Sequence, residues 1–259
     1  MTEIELLLKQ RVGELEKQLN ESRATSRMYL QNVAHQLTAP LNAIKWSIEA
    51  LKDPDIPFQR KGNLLRSIYS QGSILVHLIK NFALMSNLEA DEQLGQVRFT
   101  EPIDPMLLAI NLANDFQPQA FDQGDKKIEV SKPSFGVSFA GRKVDAEKNL
   151  IAQALSNLLE NAVKYADPRS LIEIRGERIG DGFGISVTST GLPIPENEKA
   201  RIFERSVRGA QAQQQVPAGT GIGLYLATRV MRLHSGTIEL ETNLKTSKFT
   251  LVFPKSRIA

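Results

Sequence analysis

The chain has 259 residues, 41% hydrophobic and 24% charged, enough for two globular units with ordinary cores. Its 32 basic residues nearly offset 29 acidic ones, and the net charge of +3 argues against a dedicated nucleic-acid binder. The absence of cysteine excludes disulfides, thiolate metal sites and cysteine nucleophiles, and three histidines leave little material for a histidine metal site.

Residues 4 to about 52 read as one long helix. Leu8, Val12, Leu15 and Leu19 recur at coiled-coil spacing, and the pattern favours a dimer seam over a lone amphipathic helix. Apolar positions continue through Val33, Leu37, Leu41, Ile44, Ile48 and Leu51. Pro40 removes a backbone donor and is expected to kink the helix. Lys52 to Pro57 ends it, and a second helix runs from about Phe58 to Glu89. Two such hairpins can pair into a four-helix bundle.

Beyond about Asp91 the texture becomes α+β. Strands are expected at Lys127–Val130, Gly136–Phe139, Leu171–Arg178, Phe183–Val187, Gly236–Thr242 and Lys248–Phe253. Helices are expected at Asp104–Phe121, Asp145–Ala166 and Gly221–Leu233, with Gln211–Gln215 a mobile loop. No apolar run approaches the ~20 residues that span a bilayer. Met1 to Lys9 carries two glutamates and does not read as a signal peptide. A cytoplasmic location is expected, with membrane attachment only through a segment upstream of this chain.

Four segments stand out. Gly219-Thr220-Gly221-Ile222-Gly223-Leu224 opens a helix, where glycine lets backbone N–H groups approach a phosphate. Alone it is equally a tight turn, and it is neither a P-loop nor a Rossmann fingerprint. Within Asn157 to Tyr165, Asn157, Asn161 and Lys164 share one helix face. Two amides and an ammonium there can hold Mg²⁺ and neutralise phosphate, although a polar helix face is the blander reading. Ile202 to Gly209 sets an apolar anchor before Arg205 and Arg208, as the base of a lid or as a surface helix end. His35, between apolar Val33 and Leu37, falls off the core stripe toward solvent, beside Pro40.

In this order and at these intervals, the four segments resemble the histidine kinases of two-component systems, from about residue 25 to 253. His35–Leu41 is similar to their H box, Asn157–Tyr165 to the N box, Ile202–Gly209 to the F box and Gly219–Leu224 to the second glycine box. The resemblance implies an α+β chain: a coiled-coil signal helix (1–27), a helical hairpin for dimerisation and phosphotransfer (28–92), and a Bergerat-type ATP-binding α/β sandwich (97–255). It implies that His35 accepts the γ-phosphoryl group and passes it to an aspartate on a response regulator receiver domain. The implied ligands are ATP and Mg²⁺, and the implied assembly is a homodimer. By position, Asn161 ligates Mg²⁺, and Asn157, Lys164 and Tyr165 line the phosphates and ribose. Arg208 reaches the γ-phosphate, and Gly219, Gly221 and Gly223 form the far hinge of the lid. Ser189, Gly191, Thr220 and Leu224 complete the ATP-binding set. Whether transfer runs within a subunit or across the dimer depends on the handedness of the hairpin turn.

Three departures qualify the resemblance. The acid that usually follows the histidine is Gln36, which can accept a ring N–H bond but cannot act as a base, so phosphorylation is expected to be slowed by roughly 10²- to 10⁴-fold at most. Ala39 stands where Thr or Asn supports dephosphorylation of the regulator, and Thr38 lies about 100° away round the helix. In the first glycine box the adenine-reading aspartate is Ser189 and the second glycine is Pro193. Two other readings follow: a pseudokinase acting as a dimeric signalling scaffold, and an ATPase resembling the gyrase and chaperone groups. The helical hairpin argues against the second.

Overall fold

A computed structural model describes residues 3–90, 102–216 and 220–258. Helices α1 (Glu3–Leu51) and α2 (Phe58–Ala90) form the hairpin, and Pro40 lies inside α1, whose helical assignment is uninterrupted. In the connecting turn the Asp55 N–H donates to the Asp53 carboxylate at 3.0 Å, and Ile56 is buried. Among the seam positions, Leu8 and Leu19 have side chains outside the described residues, while Val12 and Leu15 are about half exposed at 52% and 49%.

The second unit is a five-stranded sheet in the order β1-β2-β3-β5-β4, from β1 (Lys127–Ser131), β2 (Leu171–Ile179), β3 (Gly182–Thr190), β4 (Thr237–Asn243) and β5 (Thr246–Phe253). Only the β1–β2 pair is parallel, so the sheet is mixed, as the α+β texture predicts. Helices α3 (Pro105–Asp122), α4 (Lys132–Phe139), α5 (Lys148–Tyr165), α6 (Ala210–Gln215) and α7 (Gly223–Leu233) accompany it. The core forms where Ile151, Leu155, Leu158 and Leu159 of α5 meet Ile172, Ile174, Ile185 and Leu251 of the sheet. Burying each such side chain contributes about 1.5–3 kcal/mol. The Glu147 carboxylate caps α5, accepting from the N–H groups of Asn149 and Leu150. That cap fixes where the N-box helix starts and hence which face meets the hairpin.

Two expectations are corrected. Gly136–Phe139 is the last turn of α4. Phe135 and Phe139, four apart, are both buried and their rings stack at 5.9 Å, so helical spacing overrides strand propensity. Gln211–Gln215 belongs to helix α6. Alanine and glutamine are good helix formers, and the Arg208 guanidinium bonds the carbonyls of Ala212 and Val216, supplying partners that a helix end lacks.

His234 closes α7 and is wholly buried. Nδ1 lies 2.8 Å from the Val230 carbonyl and Nε2 accepts from the Glu147 N–H at 3.1 Å, which assigns a neutral ring protonated on Nδ1. Burial pushes this imidazole below its ordinary value; the Val230 bond opposes the shift. The unfolded chain therefore takes up a proton that the folded chain resists. Stability from this site is complete above the unfolded value of about 6.5 and is lost as pH falls below it, until the lower folded value is reached. Thermal melting between pH 7.5 and 5.5 should show a falling midpoint in the native chain and a shallower fall in His234→Asn. Equal slopes would remove His234 as the cause.

Candidate functional site

One cleft gathers most of the predicted residues. Asn161, Lys164 and Tyr165 enter from α5, Ser189 and Gly191 from the end of β3, Arg208 from the base of α6, and Thr220, Gly221, Gly223 and Leu224 from the second glycine segment. Gly219 lies outside the described residues. From the hairpin, Gln36, Leu78 and Asn81 form a further wall of the same cleft. His35 itself is exposed and does not line the cleft.

Backbone packing explains the glycines. Gly221 has φ +66°, and a Cβ there would sit 2.7 Å from the Val207 carbonyl oxygen. A Cβ on Gly191 would collide with the Tyr165 carbonyl and lie 2.7 Å from the Ala166 Cα, because an isolated bridge joins Ala166 to Gly191. This bridge binds the end of β3 to the end of α5, the two segments that carry Ser189 and Tyr165. Behind the second glycine turn, Gly223 leaves room for Asn157, whose Oδ1 would be 3.3 Å from an added Cβ. The Asn157 side chain is 1% exposed, does not line the cleft, and has a buried Nδ2 without a hydrogen-bond partner among the described residues.

Charge at the inner end of the cleft is closely balanced. Glu160 accepts from Lys164 Nζ at 2.5 Å through Oε1 and meets His77 Nε2 at 2.7 Å through Oε2. Burial works to raise its carboxyl, but Lys164 and His77 outweigh it and hold the group well below the usual carboxylate range. Lys164 therefore reaches the cleft already paired with a carboxylate. Arg208 lines the cleft too, while its guanidinium serves the α6 carbonyls.

Sequence reading singled out none of His77, Asn81, Gln153 and Glu160, which join the hairpin to α5. Asn81 Nδ2 donates to Asn157 Oδ1 at 2.8 Å, and Gln153 Nε2 donates to Asn81 Oδ1 at 2.8 Å. His77 Nδ1 lies 3.3 Å from Gln153 Nε2. A neutral His77 donating from Nε2 to Glu160 and accepting at Nδ1 satisfies this set. The available signal was the four-residue spacing of His77 and Asn81 on α2, matched by Gln153 and Asn157 on α5. Beside this polar set, Met85 and Leu88 of α2 form a small core with Ile222 and Leu226, and Val33 of α1 packs against it.

The three departures from the family pattern have clear settings. Gln36 is buried in the cleft wall and makes no hydrogen bond to His35 among the described residues. Thr38 spends its hydroxyl on the Ala34 carbonyl at 2.7 Å. Ser189 stands directly opposite Ser247 in the β3–β5 ladder, and both line the cleft with Val187, Ile202 and Phe249. Among the described residues no helix is long and apolar enough to cross a membrane.

Known proteins resemble this chain in both units. Residues 25–91 match the His Kinase A (phospho-acceptor) domain, and residues 146–257 match the histidine kinase-, DNA gyrase B- and HSP90-like ATPase domain. The sensor-like histidine kinase SenX3 of Mycobacterium tuberculosis is 28% identical over 232 residues, covering 89% of this chain and 54% of that protein. The circadian input-output histidine kinase CikA of Synechococcus elongatus is 28% identical over 242 residues, covering 89% of this chain and 30% of its own length. The chain thus spans about half or less of these curated relatives. Among solved structures, full-length ShkA in complex with AMPPNP superposes with a TM-score of 0.55 at 18% identity, covering 90% of this chain and 45% of that one. The Acinetobacter baumannii histidine kinase AdeS gives 0.53 at 20% identity, covering 85% and 98%. At these identities the superpositions speak for the fold alone. A phospho-acceptor hairpin joined in this order to a kinase-type ATPase domain makes the chain a member of the sensor histidine kinase family of two-component systems.

Proposed function

We propose that this chain autophosphorylates on His35 from Mg-ATP and passes the phosphoryl group to an aspartate of a response regulator receiver domain, working as a homodimer. The division into a signal helix (1–27), a phosphotransfer hairpin (28–92) and a catalytic domain (97–255) belongs to the same reading. One observation carries it: Gln36, next to the acceptor histidine, lines the cleft that holds Asn161, Lys164 and Arg208. An acceptor helix and a phosphate-binding set therefore share one space, which phosphoryl transfer requires above all.

The cleft suits a nucleoside triphosphate. Val187, Ile202 and Phe249 give an apolar slot for a base, while Lys164, Arg208 and the glycine turn gather positive charge and open backbone. The Asn161 amide oxygen would hold Mg²⁺. Glu160 is already committed to Lys164 and His77 and would not be free to join Asn161 in holding the ion. When bound, Mg²⁺ would supply positive charge against the phosphates. Lys164 and Arg208 spread the rest, and a His35 ring nitrogen supplies the electron pair. On the hairpin, Trp46 is 67% exposed and Val76 53%, apolar surface that a second copy would cover.

Incubation with γ-labelled ATP and Mg²⁺ tests the reading, the expected product being acid-labile phosphohistidine. A chain unlabelled at millimolar ATP would overturn it in favour of the docking scaffold. The relatives cited are named as kinases, which gives the scaffold alternative no support.

Base recognition gives a separate prediction. Ser189 and Ser247 offer neutral hydroxyls where a carboxylate would accept a charged hydrogen bond from the adenine amino group. Hydrogen bonds to a charged partner exceed neutral ones by about 1 kcal/mol, so Ser189→Asp should bind Mg-ATP roughly fivefold more tightly. Titration calorimetry measures this. Unchanged affinity would remove Ser189 from the base site.

A further inference from the structure

Two contacts seat the ATP-binding domain on the hairpin of its own chain. The polar one is the clasp in which Asn81 holds Asn157 at 2.8 Å and His77 holds Glu160 at 2.7 Å. The apolar one packs Met85 and Leu88 against Ile222 and Leu226, with Val33 alongside. Val33 lies two residues before His35, and Ile222 lies inside the second glycine segment. The hairpin segment carrying the acceptor is thereby docked on the turn that would meet the phosphates, and Gln36 closes the cleft from the acceptor side.

We infer that phosphoryl transfer in this protein runs within one subunit, each ATP cleft serving the His35 of its own chain, with His77, Asn81 and Gln153 as the positioning residues. The inference rests on the kinase reading above. Gln36 and His35 are consecutive, so their Cα atoms are about 3.8 Å apart and their side chains diverge by about 100° round the helix. A roll of α1 by about that angle brings the imidazole to the cleft in place of Gln36. With Gln36 of the same chain forming part of the cleft wall, the histidine adjoining the phosphate-binding set is that chain's own His35. In the step itself the ring nitrogen lone pair attacks the γ-phosphorus. The N–P bond forms as the bond from phosphorus to the β,γ-bridging oxygen breaks, and ADP leaves with that electron pair. The other ring nitrogen releases its proton to water, because the Gln36 carboxamide cannot take it.

The docked geometry also separates positioning from nucleotide binding. His77 does not line the ATP cleft, although it holds both Glu160 and, at 3.1 Å, Asn157. His77→Ala should lower the labelling rate at saturating ATP about tenfold and change the half-saturating ATP concentration less than about threefold, the pattern of lost alignment. A rate that rises instead would make the clasp inhibitory and overturn its positioning role.

Differently tagged chains, co-expressed and purified as heterodimers, decide the route. One subunit carries His35→Gln with its ATP site intact; the other carries Asn161→Ala with its histidine intact. Each is matched by its own homodimer and by the native homodimer. Transfer within a subunit predicts a labelled native homodimer and an unlabelled heterodimer. Label on the Asn161→Ala subunit of the heterodimer would overturn the inference and leave the kinase reading standing. An unlabelled native homodimer would overturn both.

Discussion

His35→Gln should abolish phosphoryl incorporation while leaving the fold and nucleotide affinity unchanged. The chain has three histidines, and the structure commits two of them elsewhere. His234 has both ring nitrogens bonded to backbone and no exposed surface. His77 has both nitrogens within the clasp. His35 alone is exposed, and no side chain or backbone group engages its ring among the described residues. An exposed exchange of similar size alters stability by about 0.5 kcal/mol or less, so any loss of label reports chemistry rather than folding. The ring nitrogen is the nucleophile and glutamine has none, so the expected loss is complete. The measurement is labelling by γ-labelled ATP, with calorimetry on the same sample to verify nucleotide binding. Residual acid-labile label on the variant would place the acceptor elsewhere.

Gly191→Ala should produce the largest structural loss at the ATP site. Its N–H donates to the Lys245 carbonyl at 2.7 Å, and on either side the Leu192 N–H donates to Tyr165 and the Asp167 N–H to Thr190, at 3.0 and 2.8 Å. Two of these hydrogen bonds draw the ends of β3 and α5 together where a Cβ would need space, and the third ties Gly191 to the β4–β5 turn. The obstructing atoms are the Tyr165 carbonyl, the Ala166 Cα and the Asp167 nitrogen, all backbone, so no side chain can swing aside. Overpacking of this kind costs about 3 kcal/mol, which lowers the melting midpoint by about 6–12 °C in a chain of this size. Tyr165 and Ser189 move apart with it, so ATP affinity should fall by more than about tenfold. Thermal melting with and without Mg-ATP tests both parts. A native midpoint with native nucleotide protection would show that the two backbones are not held this closely.

Much of the architecture was legible in side-chain periodicity. The hairpin follows from apolar residues at helical spacing and from Pro54 and Pro57 in the turn. β1, β2, β4 and β5 follow from short β-branched runs. The misread stretches are those where periodicity was too brief to decide. Gly136–Phe139 has only one helical repeat, between Phe135 and Phe139. Gln211–Gln215 is uniformly polar and owes its helix to a guanidinium that folds back on it. Composition carries no trace of the clasp, because its partners lie 72 to 83 residues apart and meet only when two domains dock. The glycine segment and the α5 face bearing Asn161 and Lys164 stood out by residue type and spacing, since an anion calls for open backbone N–H groups and cations, and a hard metal for oxygen ligands, whereas Asn157 of the same expected face lies outside the cleft. That Gln36 would stand in the cleft and His35 outside it is a matter of how the hairpin is rolled against α5. A single helix does not encode that angle.

The Arg208 guanidinium ends α6 by holding its last carbonyls, and on the proposed reading the same group meets the γ-phosphate. One cation cannot fully serve both. Nucleotide capture is then an exchange, in which the phosphate is gained at the expense of lid helicity, and the two equilibria are linked. A better helix at residues 210–215 would then weaken triphosphate binding, and bound triphosphate would in turn loosen that helix to the same degree. The helix propensity of the glutamines there thereby acts as a setting for ATP affinity, over and above any contact that Gln211 and Ala212 make as part of the cleft lining.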